Sequence, residues 1–227
     1  MINRRKTMIK CCIFDLDGTV LDTINTITHY VNVAHDKFGL KRITVDECKY
    51  FAGNGAKDLI YKATTSRGLY DEGERARLYD FYMNAYDSAP LYLTGVFDGI
   101  IEMLGKLREA GVKLALLSNK PDFAAKSLVE HFFPGLFDIA LGGREGVPLK
   151  PDPTAPLEIM RTFGVSGEET AWIGDSSTDM QTGNNINAKM RIGCLWGFRK
   201  EDELVGAGAS HIVSHPSEIT SLVLADE

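Results

Sequence analysis

Five short apolar runs punctuate the chain: Ile9 to Phe14, Val112 to Leu117, Ile139 to Leu141, Thr170 to Ile173, and Met190 to Leu195. Each gives way to polar or Gly residues, the pattern of strands buried on both faces of a parallel sheet. Helical periodicity lies between them. Ile100, Met103, Leu104 and Leu107 recur at i, i+3, i+4, i+7 and stop at Gly111. A second helix is predicted from Asp152 as N-cap, with Pro153 in its first turn, to about Gly164; Ser166 and Glu169 then form a capping-box pattern. Strands alternating with helices predict a doubly wound, Rossmann-like parallel α/β sheet with right-handed crossovers.

The stretch from Thr23 to Leu93 breaks this rhythm. It carries helical patterns at Ile27, Tyr30, Val31 and Ala34, then over Lys57 to Thr65 and Glu72 to Ala85, and no convincing strand. A helical stretch of roughly seventy residues is too long for a simple crossover, so it reads as an inserted all-helical cap domain. The expected organisation is a core of residues 1–22 and 94–227 with a cap at 23–93.

Charge and cysteine content narrow the function classes. A net charge of -6 gives no surplus to neutralise a nucleic-acid backbone. Cys11, Cys12, Cys48 and Cys194 form no C-x-x-C pair, and Cys11 and Cys12, adjacent on a strand, should face opposite ways. Buried thiols in a reducing cytosol fit that pattern better than zinc or disulfides. The apolar run after Arg4, Arg5, Lys6 and Lys10 is too short for a signal peptide or membrane span, so a cytoplasmic protein without membrane partners is expected.

In a parallel α/β sheet the ligand site lies beyond the carboxyl ends of the strands. The first run delivers Asp15-Leu16-Asp17-Gly18-Thr19-Val20-Leu21-Asp22, and the second Ser118-Asn119-Lys120. A later loop delivers Lys150-Pro151-Asp152-Pro153, and the fourth run Gly174-Asp175-Ser176-Ser177-Thr178-Asp179. Asp15, Asp17 and Asp175 should crowd together, with Asp179 one helical turn beyond Asp175 on the same face. Two carboxylates about 4 Å apart repel by roughly 4 kcal/mol at an effective dielectric near 20. Such a pocket suits a hard divalent cation, and Mg²⁺ where phosphoryl oxygens complete its shell. Asp15 is then the expected nucleophile and Asp17 the general acid and base. Ser118 and the Asn119 backbone would hold phosphate oxygens, Lys150 would neutralise charge, and Asp175 and Asp179 would fix the metal with Asp15. Taken singly, Asp22 and Asp152 read as turn formers or caps. The five histidines show no ligand spacing, and Trp196-Gly197-Phe198 fits either the site's edge or the core.

These segments, DLDGTVLD at Asp15 to Asp22, LLSNKP at Leu116 to Pro121, KPDP at Lys150 to Pro153 and GDSSTD at Gly174 to Asp179, resemble the haloacid dehalogenase superfamily, in its phosphoglycolate phosphatase-like branch. The resemblance implies a phosphatase using Mg²⁺ and an aspartyl-phosphate intermediate on a small phosphorylated metabolite. It also implies that the backbone oxygen of Asp17 is a metal ligand, and that the acid at Asp17 excludes a true dehalogenase. The segment Phe51 to Lys57 resembles the loop by which caps of this branch touch substrate, making Gly53, Asn54 and Lys57 candidates; Lys57 reads equally well as a solvated helix lysine. Asn187-Ala188-Lys189 departs from the usual Ala-Gly helix ending. A sugar phosphomutase of the same superfamily shares the core motifs, although Thr19 looks more like the phosphatases. A phosphonate hydrolase conflicts with Asp17, and a signalling receiver domain would have no cap and would carry its acceptor Asp on a middle strand.

Overall fold

The computed structural model describes residues 8–225; Arg4, Arg5 and Lys6 lie outside the described residues. Strand β1 (Cys11–Phe14) is followed by the two-residue β2 (Leu21–Asp22). Four helices come next: α1 (Ile24–Lys37), α2 (Val45–Phe51), α3 (Ala56–Thr65) and α4 (Glu72–Ser88). Then β3 (Gly95–Val96) pairs antiparallel with β2, Leu21 facing Val96 and Asp22 facing Gly95. Asp22, which reads from sequence as a turn former or cap, is thus a strand residue, and Thr23 is the N-cap of α1.

The rest alternates: α5 (Ile100–Glu109), β4 (Lys113–Pro121), α6 (Asp122–Phe132), β5 (Ile139–Gly143), α7 (Thr154–Phe163), β6 (Thr170–Gly174), α8 (Ser177–Asn185), β7 (Met190–Cys194), α9 (Glu201–Gly206), β8 (His211–Val213) and α10 (Pro216–Leu224). Six strands make one parallel sheet in the order β5-β4-β1-β6-β7-β8. From β1 the chain first winds toward β5 and later, from β6, toward β8. The winding therefore reverses between β1 and β6, and a crevice opens beyond the ends of those two strands.

Alternation along β1 builds both faces of the sheet. Cys12 and Phe14 join Met103, Leu104, Leu128 and Ile219 on one side, and Cys11 and Ile13 join Ile159, Trp172 and Met180 on the other. The four buried α5 residues, Ile100, Met103, Leu104 and Leu107, are those of the apolar stripe; their burial contributes roughly 1.5–3 kcal/mol each. A third cluster, with Val31, Cys48, Leu59, Ile60, Leu78 and Tyr82, ties α1 to α4 together. All four cysteines are buried and free. Among the described residues no helix is long and apolar enough to cross a membrane.

Two helix ends differ from expectation. Pro153, not Asp152, is the N-cap of α7, and Asp152 instead accepts from Thr154 N at 2.9 Å in a local turn. After α8 the chain turns through Asn187 at φ 52°, a left-handed conformation that Asn tolerates, and Ala188 N closes back on Gly183 O at 2.9 Å. That turn does the work of the missing Gly.

Candidate active site

The crevice is floored by residues that the β1 and β6 ends deliver. Asp15 N donates to Ile173 O at 2.9 Å, continuing the ladder past the last residue of β1. The chain then folds over Leu16 O, which accepts from Thr19, Val20 and Leu21 N. Gly18 has φ +85°, and a Cβ there would lie 2.2 Å from Asp175 Oδ2, so only Gly lets this loop pass so close. Asp175 accepts from Thr19 Oγ1 at 3.2 Å and from Phe198 N at 2.7 Å.

Asp175 does not share a helix turn with Asp179. It precedes Ser176, the N-cap of α8, and Asp179 occupies the third helical position. Asp179 Oδ2 accepts from Ser176 Oγ at 2.6 Å and Ser176 N at 3.1 Å. This capping box aims the other oxygen, Oδ1, at Lys150 Nζ 2.8 Å away. The same ammonium lies 2.6 Å from Asp15 Oδ1. The Asn119 side chain positions Lys150 through its backbone, accepting from Lys150 N at 2.8 Å and donating to Lys150 O at 3.1 Å.

Asp15, Asp175 and Asp179 are all buried, each offering an oxygen within 4.8 Å of the others. Burial first, and then the charge of Asp179 against the opposing pull of Lys150, pushes the Asp15 carboxyl up to about 7. Asp175 is held well above the usual carboxylate range by burial and by its two acidic neighbours. Lys150 stays charged because Asp15 and Asp179 outweigh the cost of its burial. One ammonium against three carboxylates leaves a negative surplus, which a hard divalent cation with oxygen ligands neutralises. The donor set therefore fits such an ion.

Above the floor, Asp17 carries its own cation. Lys120 Nζ sits 3.1 and 3.0 Å from its two oxygens and 4.8 Å from the Tyr86 ring of α4. Burial acts to lower the Lys120 pKa, but Asp17 and the Tyr86 and Tyr82 phenols reverse the balance and hold it raised. Ser118, Asn119 and Lys120 lie within the irregular end of β4, not in a loop beyond it, and Ser118 Oγ accepts from Lys120 N at 3.2 Å.

Between sheet and helices lies a cavity of about 60 Å³ lined by Asp15, Asp17, Ser118 and Asn119 below and Leu59 and Tyr82 above. Gly53 lines it and accepts from Asn119 Nδ2 at 3.1 Å; the exposed Asn54 accepts from Thr178 Oγ1 at 2.9 Å. Lys57, one of the sequence candidates for meeting substrate, is exposed and is not among the lining residues. Phe198 lines the cavity, and the neighbouring Arg199 donates to Lys49 O, to Ala52 O at 2.8 Å and to Tyr50 O at 3.3 Å, clasping the C-terminal end of α2 to the sheet layer. The sequence assigns no role to Lys120 or Arg199, because their partners, 103 and 150 residues away, leave no local pattern.

The sheet order, the carboxylates at the β1 and β6 ends and the inserted helices define a class, and residues 12–192 match the model of the haloacid dehalogenase-like hydrolases. The chain belongs to that family. Among curated relatives it is 33% identical over 172 residues to "Phosphoglycolate phosphatase 1" of Pseudomonas aeruginosa, covering 74% of this chain and 62% of that protein. It is 34% identical over 172 residues to a phosphoglycolate phosphatase of Cereibacter sphaeroides, covering 75% of this chain and 78% of the relative. A crystal structure of a candidate phosphoglycolate phosphatase from Lactobacillus delbrueckii subsp. bulgaricus superposes with a TM-score of 0.88 at 34% identity, over 96% of this chain and 99% of the other.

Proposed function

We propose that the protein is a Mg²⁺-dependent phosphatase of small phosphorylated metabolites, phosphoglycolate or a close analogue among them, working in the cytoplasm through an aspartyl phosphate on Asp15. The observation that carries this reading is the floor itself: Lys150 bridging Asp15 and Asp179, with Asp175 completing a carboxylate triad within 4.8 Å. Asp15, Asp175 and Asp179, with the backbone oxygen of Asp17, would hold the cation, which when bound neutralises phosphoryl charge and the triad's own repulsion.

The protein's groups divide the reaction into two balanced halves. An Asp15 oxygen attacks phosphorus and the bond to the ester oxygen breaks, while Asp17 supplies the proton that the leaving alcohol needs. Asp17 then takes a proton from water, whose oxygen attacks the aspartyl phosphate, and Asp15 is regenerated as phosphate leaves. Ser118 and the Asn119 backbone face the phosphoryl oxygens, and Lys150 fixes the Asp15 carboxylate and offsets charge in a site where little water screens it. Residues 23–93 act as the cap that closes the cavity, with Gly53 and Asn54 seating it on Asn119 and Thr178. A cavity of about 60 Å³ favours a small substrate.

The test is phosphate release across some dozens of phosphorylated metabolites, with Mg²⁺ and with EDTA. Release that needs Mg²⁺ and favours small monoesters is expected. Full activity in EDTA removes the metal from the reading. Interconversion of sugar phosphate isomers with negligible phosphate release replaces the phosphatase by a mutase.

A further inference from the structure

We infer that Lys120, together with the Tyr86 hydroxyl, receives a carboxylate on the leaving group, so that preferred substrates are phosphomonoesters whose alcohol carries an acid group close to the ester oxygen. The inference rests on the phosphatase reading above and adds the chemistry of the leaving group.

Among the described residues lining the cavity, Asp15, Asp17, Asp87 and Asp175 are acidic and Lys120 is the one basic side chain. Lys150 lies beneath and is taken up by Asp15 and Asp179, while Lys57 is outside. An anionic group of a bound substrate therefore meets one cation on this wall. Only 7% of the Lys120 side chain is exposed, so water screens it little. An ammonium has three protons to donate, and Asp17 does not exhaust them. Next to it Tyr86, itself 3% exposed, lines the same cavity; its hydroxyl oxygen lies toward the Lys120 ammonium, and its O–H has no acceptor. A buried donor without an acceptor costs stability, and a site that completes such a donor with a ligand recovers it.

The position agrees with the chemistry. Asp17 works at the ester oxygen, and Lys120 Nζ lies about 3 Å beyond the Asp17 oxygens. A carboxylate a bond or two past the ester oxygen comes within reach of both donors, one oxygen to Lys120 and one to Tyr86. A neutral group in that place leaves the Tyr86 hydroxyl without an acceptor and Lys120 with Asp17 as its sole anion. Elsewhere the acidic lining repels a second negative charge, so the same feature selects where the acid end lies.

The experiment compares kcat/KM for phosphoglycolate and for its neutral carboxamide, using the full-length protein with Mg²⁺. Wild type is expected to prefer the acid by about 10²-fold or more. Lys120→Met should bring that preference to within a few-fold of unity, Tyr86→Phe should lower it by about 3- to 10-fold, and Lys120→Arg should keep part of it. Equal losses on both substrates in Lys120→Met assign Lys120 to Asp17 alone and overturn the inference, as does a wild type without preference. If Lys120→Met fails to fold by circular dichroism, Tyr86→Phe and Lys120→Arg decide by the same ratio. Release of phosphate from neutral esters as readily as from acidic ones overturns this inference and leaves the phosphatase standing. Absence of release from any monoester takes down the phosphatase reading, and the leaving-group assignment with it.

Discussion

The floor of the crevice and the wall above it are built by opposite rules. On the floor each buried carboxylate is held by at least one partner of its own: Asp15 by Lys150, Asp175 by Thr19 and Phe198, Asp179 by Ser176 and Lys150. On the wall single hydrogen bonds suffice, from Asn119 to Gly53 and from Thr178 to Asn54, and Arg199 grips backbone carbonyls that any sequence supplies. Reaction chemistry needs groups fixed to fractions of an ångström, whereas selection of a leaving group needs a surface that side chains can re-tailor. The two layers therefore accept mutation differently.

The largest expected effect falls on the floor. Asp15→Asn should remove turnover, by about 10⁴-fold or more, along with phosphoenzyme formation, while the melting transition is retained; phosphate release at the wild-type rate takes the nucleophile's role from Asp15. Asp17→Asn should slow turnover by about 10²- to 10⁴-fold, the usual worth of acid and base help. A wild-type rate in steady-state kinetics means another group moves the proton.

The floor should also betray itself through pH. Asp15, pushed up to about 7, and the raised Asp175 bind protons more tightly folded than unfolded. The contribution of Asp15 to stability is fully present below about pH 4 and lost as pH rises through about 7, and that of Asp175 is lost in the same direction, as pH rises through its own raised pKa. Without metal, the melting temperature should therefore lose ground between about pH 4 and 8, and Mg²⁺ should flatten that slope. Thermal scans with EDTA and with Mg²⁺ check this, and identical slopes remove the triad as the metal's seat.

The wall should respond more mildly. Arg199→Gln should raise KM by about 3- to 30-fold with kcat changed less, because the clasp joins α2 to the sheet layer and touches none of the floor carboxylates through a hydrogen bond; an equal fall in kcat would place it with the floor. Lys57→Ala should change kcat/KM for phosphoglycolate by less than about 2-fold, as for a solvated surface lysine. A loss above 10-fold in that assay brings Lys57 back to the substrate.

Residues that the sequence displays next to a strand end can be read from it, because an apolar run followed by a polar side chain states both the element and its exit. Asp15, Ser118 and Asp175 are of that kind. The spacing of Asp179 from Asp175 suggests a shared helix, whereas Ser176 begins that helix and brings Asp179 to the cluster through its capping box. For α2 the local signal is the capping box of Thr44 and Glu47, a spacing that the hydrophobic periodicity does not carry. In β8 and the paired β2 and β3 the strands are three and two residues long, too short for periodicity to register. The Lys120 to Asp17 pair, the Arg199 clasp and the Thr19 bond to Asp175 come from surfaces meeting across the fold, and no local spacing encodes them.

The two-residue ribbon of β2 and β3 has a consequence for how such a protein can change over time. Because Asp22 and Gly95 pair directly, the long excursion between them begins and ends at one point in space. Antiparallel neighbours can be joined by a two-residue turn. The excursion is thus a detachable part: it can be shortened, lengthened or exchanged for another module with little disturbance to the sheet, since closure entropy grows only slowly with loop length. New substrate ranges can arise by swapping that part, with the buried carboxylates of the floor left where they are.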